Sequence, residues 1–446
     1  MTALGRRLAW SAFTAWHARA EAALPFRPLE TILGIQTRRV KAIVRHAYDS
    51  VPFYRRAMEE RSLRPGDIAC AADLARLPLI DGRLLAGEPA SLRSRREPTG
   101  LRIESSGTSG RAKHIDYDAA ALFLALAHGH RQRAVMRHFV GRVVGYREML
   151  IARPSGVSHQ MRQFYETHSW TPRGIDLQRQ TMSGDASIED QVAAINAFQP
   201  EVLVGYGSYL GAFLRRAVQR GLVLWRPRVI GYGADAMDQA DRDVIERDLG
   251  VPVLSFYQSV EALRLAFQCE ARQGLHLFID CMAVRVVRDD GGEAGPGEPG
   301  HIVISNLTNR ATVLLNYKLG DVVTVARGAC ACGRTLPRIE RIDGRSDDLV
   351  RLADGRILHS LVVLEPLRAV PGVGQTQVIQ RRRDNFLLRV VPRPGIDCEE
   401  AGRRLKEAFR ARAGAAVEVE VEWCESIPPG PNGKVKAVIS EVREHE

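Results

Sequence analysis

The chain has 446 residues, 45% of them hydrophobic and 26% charged, with a net charge of +11 and a pI near 9.6. Such a length implies two or three domains and a large core, and the composition excludes a disordered or fibrous chain. No apolar run reaches the ~18 residues of a membrane span. The basic residues are scattered as Arg-Arg pairs without an aromatic-interleaved stripe, so nucleic acid is not read as a partner.

Met1 to Trp16 carries two arginines and a mild apolar stretch, Leu8 to Phe13. It lacks a long hydrophobic region and a small-residue cleavage site, which reads as a cytoplasmic chain without a signal peptide. Residues 30–100 read as helices and loops. Thr37 to Asp49 has the helical period (Val40, Ile43, Val44, Ala47), broken over Ala47 to Tyr54.

The next stretch is Ser105-Ser106-Gly107-Thr108-Ser109-Gly110-Arg111-Ala112-Lys113. Glycines let backbone N–H groups turn toward an anion, hydroxyls add donors, and Arg111 and Lys113 add charge. The spacing does not fit the Walker pattern. Ile115-Asp116-Tyr117 reads as a strand, so this is a phosphate loop between two strands, or else a plain polar turn. A helix follows over 119–138.

From residue 188 short apolar strands alternate with helices. Helices are expected at Ile188–Phe198, Tyr209–Gln219 and Asp238–Leu249, and strands at Val202–Val204, Val229–Ile230 and Val251–Phe256. That pattern means βαβ units and a parallel sheet, with ligands outside the carboxyl ends of its strands. Two strand-end loops follow from it: Gly231 to Asp235 and Tyr257 to Glu261. Gly205 to Gly211 is GxGxxxG, one residue longer than a dinucleotide fingerprint, and reads as a strand-to-helix turn.

Residues 276–326 read as an antiparallel unit with strands Leu277–Arg288, His301–Leu307 and Thr312–Tyr317, followed by Gly320-Asp321. After Asp348 come hairpin strands (Thr376–Gln380, Phe386–Val391), a helix (Cys398–Ala413) and a strand (Val417–Trp423), a small α+β unit. It ends in the rigid turn Pro428 to Lys436. Three of the six lysines, Lys113, Lys434 and Lys436, lie in two short glycine-containing segments. Seven cysteines in such a chain argue against a disulfide framework.

Together these segments resemble the adenylate-forming superfamily, and within it the phenylacetate–CoA ligase family, from about residue 45 to 440. Ala47 to Arg55 is similar to "A-x-x-x-V-P-F-Y-R", the 105–113 stretch to the phosphate loop, and Tyr257 to Glu261 to "Y-G-x-[ST]-E". Tyr317 to Asp321 is similar to "Y-R-T-G-D", Gly344 to Asp348 to the "G-R-x-D-D" hinge, and Gly433-Lys434 to the C-terminal "G-K".

The resemblance implies an α/β fold. A large adenylation domain would span residues 1–343, a hinge 344–348 turning at Asp347, and a small mobile α+β domain 349–446. It implies a two-step enzyme. A carboxylic acid, read as aromatic, attacks ATP to give an acyl-adenylate, and coenzyme A, a carrier-protein thiol or an amine then displaces AMP. Transfer of AMP itself to a cofactor or sugar-linked acceptor, or a silent nucleotide-binding relative, are the alternatives. The implied roles are β- and γ-phosphate binding for Ser105 to Gly110, with Lys113 in the same loop, and Mg²⁺ for Glu261. Tyr257, with Gly233, Ala234 and Asp235, would take the adenine. Asp321 with Arg345 would take the ribose, and Lys434 would bridge carboxylate and α-phosphate. Cys269, His276, Cys330 and Cys332 are similar to positions that hold a structural Zn²⁺, though Cys330 and Cys332 alone fit a tight turn equally well. Three departures stand out: Gln258 in place of Gly, Val260 in place of Ser or Thr, and Arg351 to Ile357 in place of the "R-G-x-x-V" loop that lines the thiol channel in relatives.

Overall fold

The structure, a computed structural model, describes residues 2–105, 113–152, 157–170, 178–184, 186–345, 349–428 and 435–442. Helix α1 (Ala3–Glu21) starts at Thr2, whose hydroxyl accepts from the Gly5 N–H. Its Trp10 ring stacks on Phe123 at 4.8 Å. The weak apolar pattern of this segment hid a helix that tertiary packing stabilises. Helix α2 (Leu29–Ser50) buries Ile32, Gln36, Val40, Ile43, Val44 and Ala47 on one face, extending the expected 37–49 helix toward the N-terminus. Val51 breaks it, and Pro52 serves as the first residue of α3 (Pro52–Glu60), where its missing N–H costs nothing. A one-turn helix, α4 (Gly82–Gly87), is capped by the Asp81 carboxylate.

Strands β1 (Leu101–Ser105) and β2 (Lys113–Tyr117) pair antiparallel, with Ser105 opposite Lys113. Residues 106–112 between them lie outside the described residues. Helix α5 (Ala119–Val140) ends at Gly141, whose φ of +81° closes the last turn. The βα run then reads β3 (Glu148–Ala152), α6 (Val157–His168), β4 (Arg179–Ser183), α7 (Ile188–Phe198), β5 (Val202–Tyr206), α8 (Gly207–Gln219), β6 (Val229–Gly233), α9 (Gln239–Asp248) and β7 (Val253–Tyr257). The parallel half therefore begins at residue 148, earlier than the alternation from 188 suggested. Strand β4, Arg-Gln-Thr-Met-Ser, lies at the sheet edge and carries no apolar run to betray it.

Strands β8 (Ala266–Gln268), β9 (Leu275–Leu277), β10 (Met282–Val287), β11 (Pro299–Asn306), β12 (Tyr317–Val325) and β13 (Arg338–Arg345) follow. Among the described residues, eleven strands form one sheet in the order β10-β11-β12-β13-β9-β8-β7-β6-β5-β3-β4. Two expectations are corrected here. The span 277–288 is two strands, because a turn closed by the Cys281 N–H on the Phe278 carbonyl interrupts it. The expected strand 312–317 is irregular, because Asn316 adopts φ +53°, and regular pairing starts only at Tyr317.

As a result, Gly320 and Asp321 lie inside β12, not after it. Opposite β11 the register jumps from Lys318 to Val322 while β11 advances only from Val303 to His301. Gly320, at φ +93°, makes this bulge possible, and a bulge re-aims the side chain beside it.

The remaining elements are β14 (Leu349–Arg351), β15 (Ile357–His359), α10 (Ser360–Arg368), β16 (Val373–Arg382), β17 (Asn385–Pro392), α11 (Cys398–Ala413), β18 (Glu418–Trp423) and β19 (Val438–Ser440). Strands β18-β17-β16-β19 make a four-stranded sheet over a core of their own, built from residues between Val350 and Val438. Helix α10 escaped the sequence reading because Pro366 sits inside it.

One buried ion cluster ties α1, α2, α5 and the β9–β10 turn. Arg131, with a wholly buried side chain, meets Glu21 at 2.6 Å and Asp280 at 2.7 Å, and Arg39 adds a 3.0 Å contact to Asp280. Burial works against the Arg131 charge, and Asp280 and Glu21 more than restore it. Arg131→Met leaves both carboxylates buried without this cation. The expected loss is about 3–5 kcal/mol, read as a lower denaturation midpoint by circular dichroism in urea; an unchanged midpoint contradicts it.

Candidate active site

The site builds up at the carboxyl end of β7, where the parallel half of the sheet meets the antiparallel half. After β7 the chain makes a turn in which the Ser259 carbonyl accepts from the N–H groups of Ala262 and Leu263. Leu263 takes φ +59° to close it. Two neighbours pin this turn. The Tyr117 hydroxyl donates to the Val260 carbonyl at 2.7 Å, and the Asn306 amide donates to the Glu261 carbonyl at 3.1 Å. Val260 packs its apolar side chain against the main core, so the hydroxyl expected there is replaced by packing.

The fixed turn holds the Glu261 carboxylate in a buried position. Oε1 faces the Lys113 ammonium at 3.3 Å and accepts from the Tyr317 hydroxyl at 3.2 Å. Lys113 also donates to that hydroxyl at 3.3 Å. Burial, then the Glu261 charge, push the Tyr317 phenol well above its ordinary range, so it stays protonated. Three elements, β2, the turn after β7, and β12, thus meet at one carboxylate.

A second carboxylate lies beside it. The β12 bulge places Asp321 opposite Arg345 in the β12–β13 ladder, with Oδ1 3.3 Å from the guanidinium. Oδ2 accepts from the Tyr257 hydroxyl. Burial, then Asp321, hold the Tyr257 phenol far above its ordinary range. The ring is almost wholly buried in the main core, so the residue read as a stacking platform also positions Asp321.

The strand-end loop after β6 approaches the same region. Ala234 adopts φ +70°, a left-handed conformation costing about 1–3 kcal/mol for a non-glycine residue. Asp235 receives the Ser208 hydroxyl and, at 3.3 Å, the Ser208 N–H, which ties this loop to the start of α8. A Cβ on Gly233 would stand 3.4 Å from Oε1 of Gln258, so the carboxamide replacing the family glycine lies over this loop. Gly205 to Gly211 is the strand-to-helix turn it reads as, passing from β5 into α8. Ser106 to Gly110, Asp347 and Lys434 lie outside the described residues, and the Ser105 side chain is not among those described. The chain replacing the thiol-channel loop, Arg351 to Ile357, turns tightly between β14 and β15. The Arg356 guanidinium donates to the Arg412 and Ala413 carbonyls at the end of α11.

Away from this site the ligand atoms of Cys269, His276, Cys330 and Cys332 all lie within 4.8 Å of one another. Cys269 and Cys330 stand 3.6 Å apart, and Cys332 lies 3.3 Å from His276 Nε2. His276 Nδ1 faces the Leu336 carbonyl at 3.3 Å, which turns Nε2 toward the thiols. Burial lowers the His276 pKa to about 4, so its ring is neutral, and raises the Cys269 thiol to about 12.

The comparisons with known proteins agree with this architecture. Residues 350–441 match the CapK C-terminal domain. The chain is 29% identical over 376 residues to the phenylacetate-coenzyme A ligase of Thermus thermophilus, covering 81% of this chain and 80% of that protein. It is 28% identical over 433 residues to the Escherichia coli phenylacetate-coenzyme A ligase, covering 90% and 94%. A solved 2-hydroxyisobutyryl-CoA ligase, in the postadenylation state with an acyl-AMP bound, superposes with a TM-score of 0.74 at 19% identity, over 93% of this chain and 91% of that one. The fold is that of the adenylate-forming ligases, and most of the chain is similar in sequence to phenylacetate-coenzyme A ligases. Among the described residues no helix is long and apolar enough to cross a membrane.

Tyr257→Phe keeps the ring and removes the hydroxyl that fixes Asp321. If Asp321 takes the ribose of ATP, as its motif implies, the nucleotide binds this variant about tenfold more weakly, the worth of one hydrogen bond to a charged group. Calorimetric titration checks it, with circular dichroism to verify the fold; unchanged affinity means that Asp321 holds its place without Tyr257.

Proposed function

We propose that the protein is an adenylate-forming acid ligase: it activates a carboxylic acid with ATP and passes the acyl group to a thiol, with coenzyme A as the acceptor. One observation carries this reading. Lys113, Tyr257, Glu261, Asp321 and Arg345 come from four separate segments and converge at the carboxyl edge of the parallel strands, the ligand edge of such sheets.

The chemistry follows from charge. Attack on the α-phosphate gathers negative charge at phosphorus, and fixed cations and dipoles lower that barrier most. Lys113 stands at the end of the phosphate loop and brings one such charge. Asp321, held by Tyr257 and Arg345, presents a carboxylate to the ribose hydroxyls. Glu261 is a hard oxygen ligand suited to Mg²⁺, which when bound neutralises phosphate charge. Lys434 supplies the charge shared by carboxylate and α-phosphate, and the Asp347 hinge lets the 349–446 unit carry it in and out between half-reactions. The acid is read as aromatic by the names of the relatives alone.

The test is acid-dependent exchange of pyrophosphate into ATP across a panel of carboxylic acids, followed by transfer to coenzyme A, a carrier-protein thiol or an amine. Exchange with at least one acid is expected, and Lys434→Ala is expected to lower it by several orders of magnitude, the scale of a transition-state charge contact. Near-normal exchange in that variant removes the assigned role. AMP incorporation into an acceptor without any acid replaces the ligase reading by AMP transfer.

A structural Zn²⁺ on Cys269, His276, Cys330 and Cys332 belongs to the same reading. Three thiols and one imidazole, already gathered and with the imidazole oriented by Leu336, make a closed donor set. One zinc per chain is expected by elemental analysis, lost in Cys330→Ser. A zinc-free protein whose four side chains all react with alkylating reagents overturns it.

A further inference from the structure

Two residues with no role in the reading above surround the Lys113–Glu261 pair. Tyr317 is fully buried, and its hydroxyl touches both members, at 3.3 Å and 3.2 Å. Gly82 closes the other side. A Cβ there would stand 2.8 Å from the Lys113 nitrogen and 2.9 Å from its last carbon, closer than real contacts come. The two are built as one unit. The Ile80 N–H donates to the Asn316 carbonyl and the Lys318 N–H donates to the Ile80 carbonyl, so residues 80–82 run beside Tyr317. Asp81 then caps α4 through the N–H groups of Arg83 and Leu84, which orients the Gly82 backbone.

A buried carboxylate is costly without a cation. Here the cation is a lysine at the end of the phosphate loop, seated on the carboxylate that the proposed function gives to a divalent metal. Ammonium and metal are both cations and compete for the one negative charge of this carboxylate.

We propose that Lys113 is an internal counter-ion of the metal site. It neutralises Glu261 before ligands arrive and gives way when a divalent cation binds, and Tyr317 and Gly82 form the seat that holds it there. Tyr317 is a positioning residue: its hydroxyl keeps Glu261 Oε1 in place during the exchange, because it donates to that oxygen whether its other neighbour is ammonium or metal. The exchange joins phosphate binding to metal binding, since the lysine released from Glu261 is carried on the loop read as holding the β- and γ-phosphates. This inference rests on the assignment of Glu261 to the metal.

The experiment is Mn²⁺ binding without nucleotide, followed by paramagnetic resonance of the free ion, in the full chain and in Lys113→Met, Tyr317→Phe, Gly82→Ala and Glu261→Gln. Lys113→Met, which leaves the carboxylate without its counter-ion, is expected to bind Mn²⁺ at least tenfold more tightly than the unaltered chain. Gly82→Ala, which crowds the ammonium out of its seat, is expected to move in the same direction. Tyr317→Phe is expected to weaken Mn²⁺ binding when combined with Lys113→Met, about tenfold for the lost hydrogen bond to a charged group. Circular dichroism identifies any variant that does not fold. If Glu261→Gln abolishes Mn²⁺ binding while Lys113→Met leaves it at the level of the unaltered chain, the counter-ion inference is overturned and the metal assignment stands. If Lys113→Met binds no Mn²⁺ without nucleotide, the counter-ion inference is overturned; if Glu261→Gln has no effect on the Mn²⁺ bound by Lys113→Met, the metal assignment itself fails.

Discussion

A carboxylate out of water has to be neutralised, and Glu261 is out of water. That one constraint organises the centre of the molecule. Its partner Lys113 starts β2, its hydrogen-bond donor Tyr317 starts β12, and its own backbone is held from β2 by Tyr117 and from the end of β11 by Asn306. Apart from β11 and β12, which follow one another, these segments lie far apart in the chain. The pair β1–β2, the end of the parallel run and the antiparallel strands must all be in place before the charge is satisfied. A site assembled in this way is sensitive to the register of β12, because sliding a strand by one residue turns its side chains to the other face.

The bulge in β12 solves a related problem. Tyr317 and Asp321 are four residues apart on one strand, and in regular alternation they would share a face at a separation of about 13 Å, at 3.2–3.4 Å per residue. The extra residues around Gly320 break that spacing and re-aim Asp321 toward Tyr257 and Arg345 while Tyr317 stays on Glu261. Two carboxylates with different partners are thereby carried near one strand: Glu261 met by a lysine and a tyrosine, Asp321 by an arginine and a tyrosine. In each case a neutral phenol, held protonated by burial, takes one lone pair and fixes the oxygen's direction.

Much of this was legible in the sequence because the chemistry there needs particular residue types at fixed spacing. Glu261 follows Tyr257 by four residues, and Asp321 ends Tyr-Lys-Leu-Gly-Asp; both were readable as candidates. The helices over 188–198 and 398–413 were readable from periodicity alone. What stayed hidden has physical reasons. Helix α1 has a weak apolar pattern and is stabilised by contacts such as Trp10 on Phe123. Strand β4 is polar because it is an edge. Gly82 carries no side chain to announce a contact, and the Tyr317 hydroxyl reads as part of a motif, not as the partner of residue 261. The pairing of Asp235 with Ser208 joins two loops whose spacing in the chain says nothing about their approach.

If Tyr257 and Asp321 take base and ribose as proposed, the bond between them couples the two contacts. An ionised carboxylate offers about four lone-pair positions. Tyr257 takes one on Oδ2 and Arg345 one on Oδ1, so Asp321 meets a ligand with both oxygens already oriented. The rotamer entropy of an aspartate is therefore spent in folding and not in binding, which is what preorganisation means. The cost falls on Tyr257, which cannot swing toward a base without releasing Asp321. Ring and carboxylate must move as a unit or not at all, and burial of the ring in the main core favours the second. The strained Ala234 loop and the Gln258 carboxamide lie beside this preset pair, so a ligand entering here would meet a shape fixed in advance.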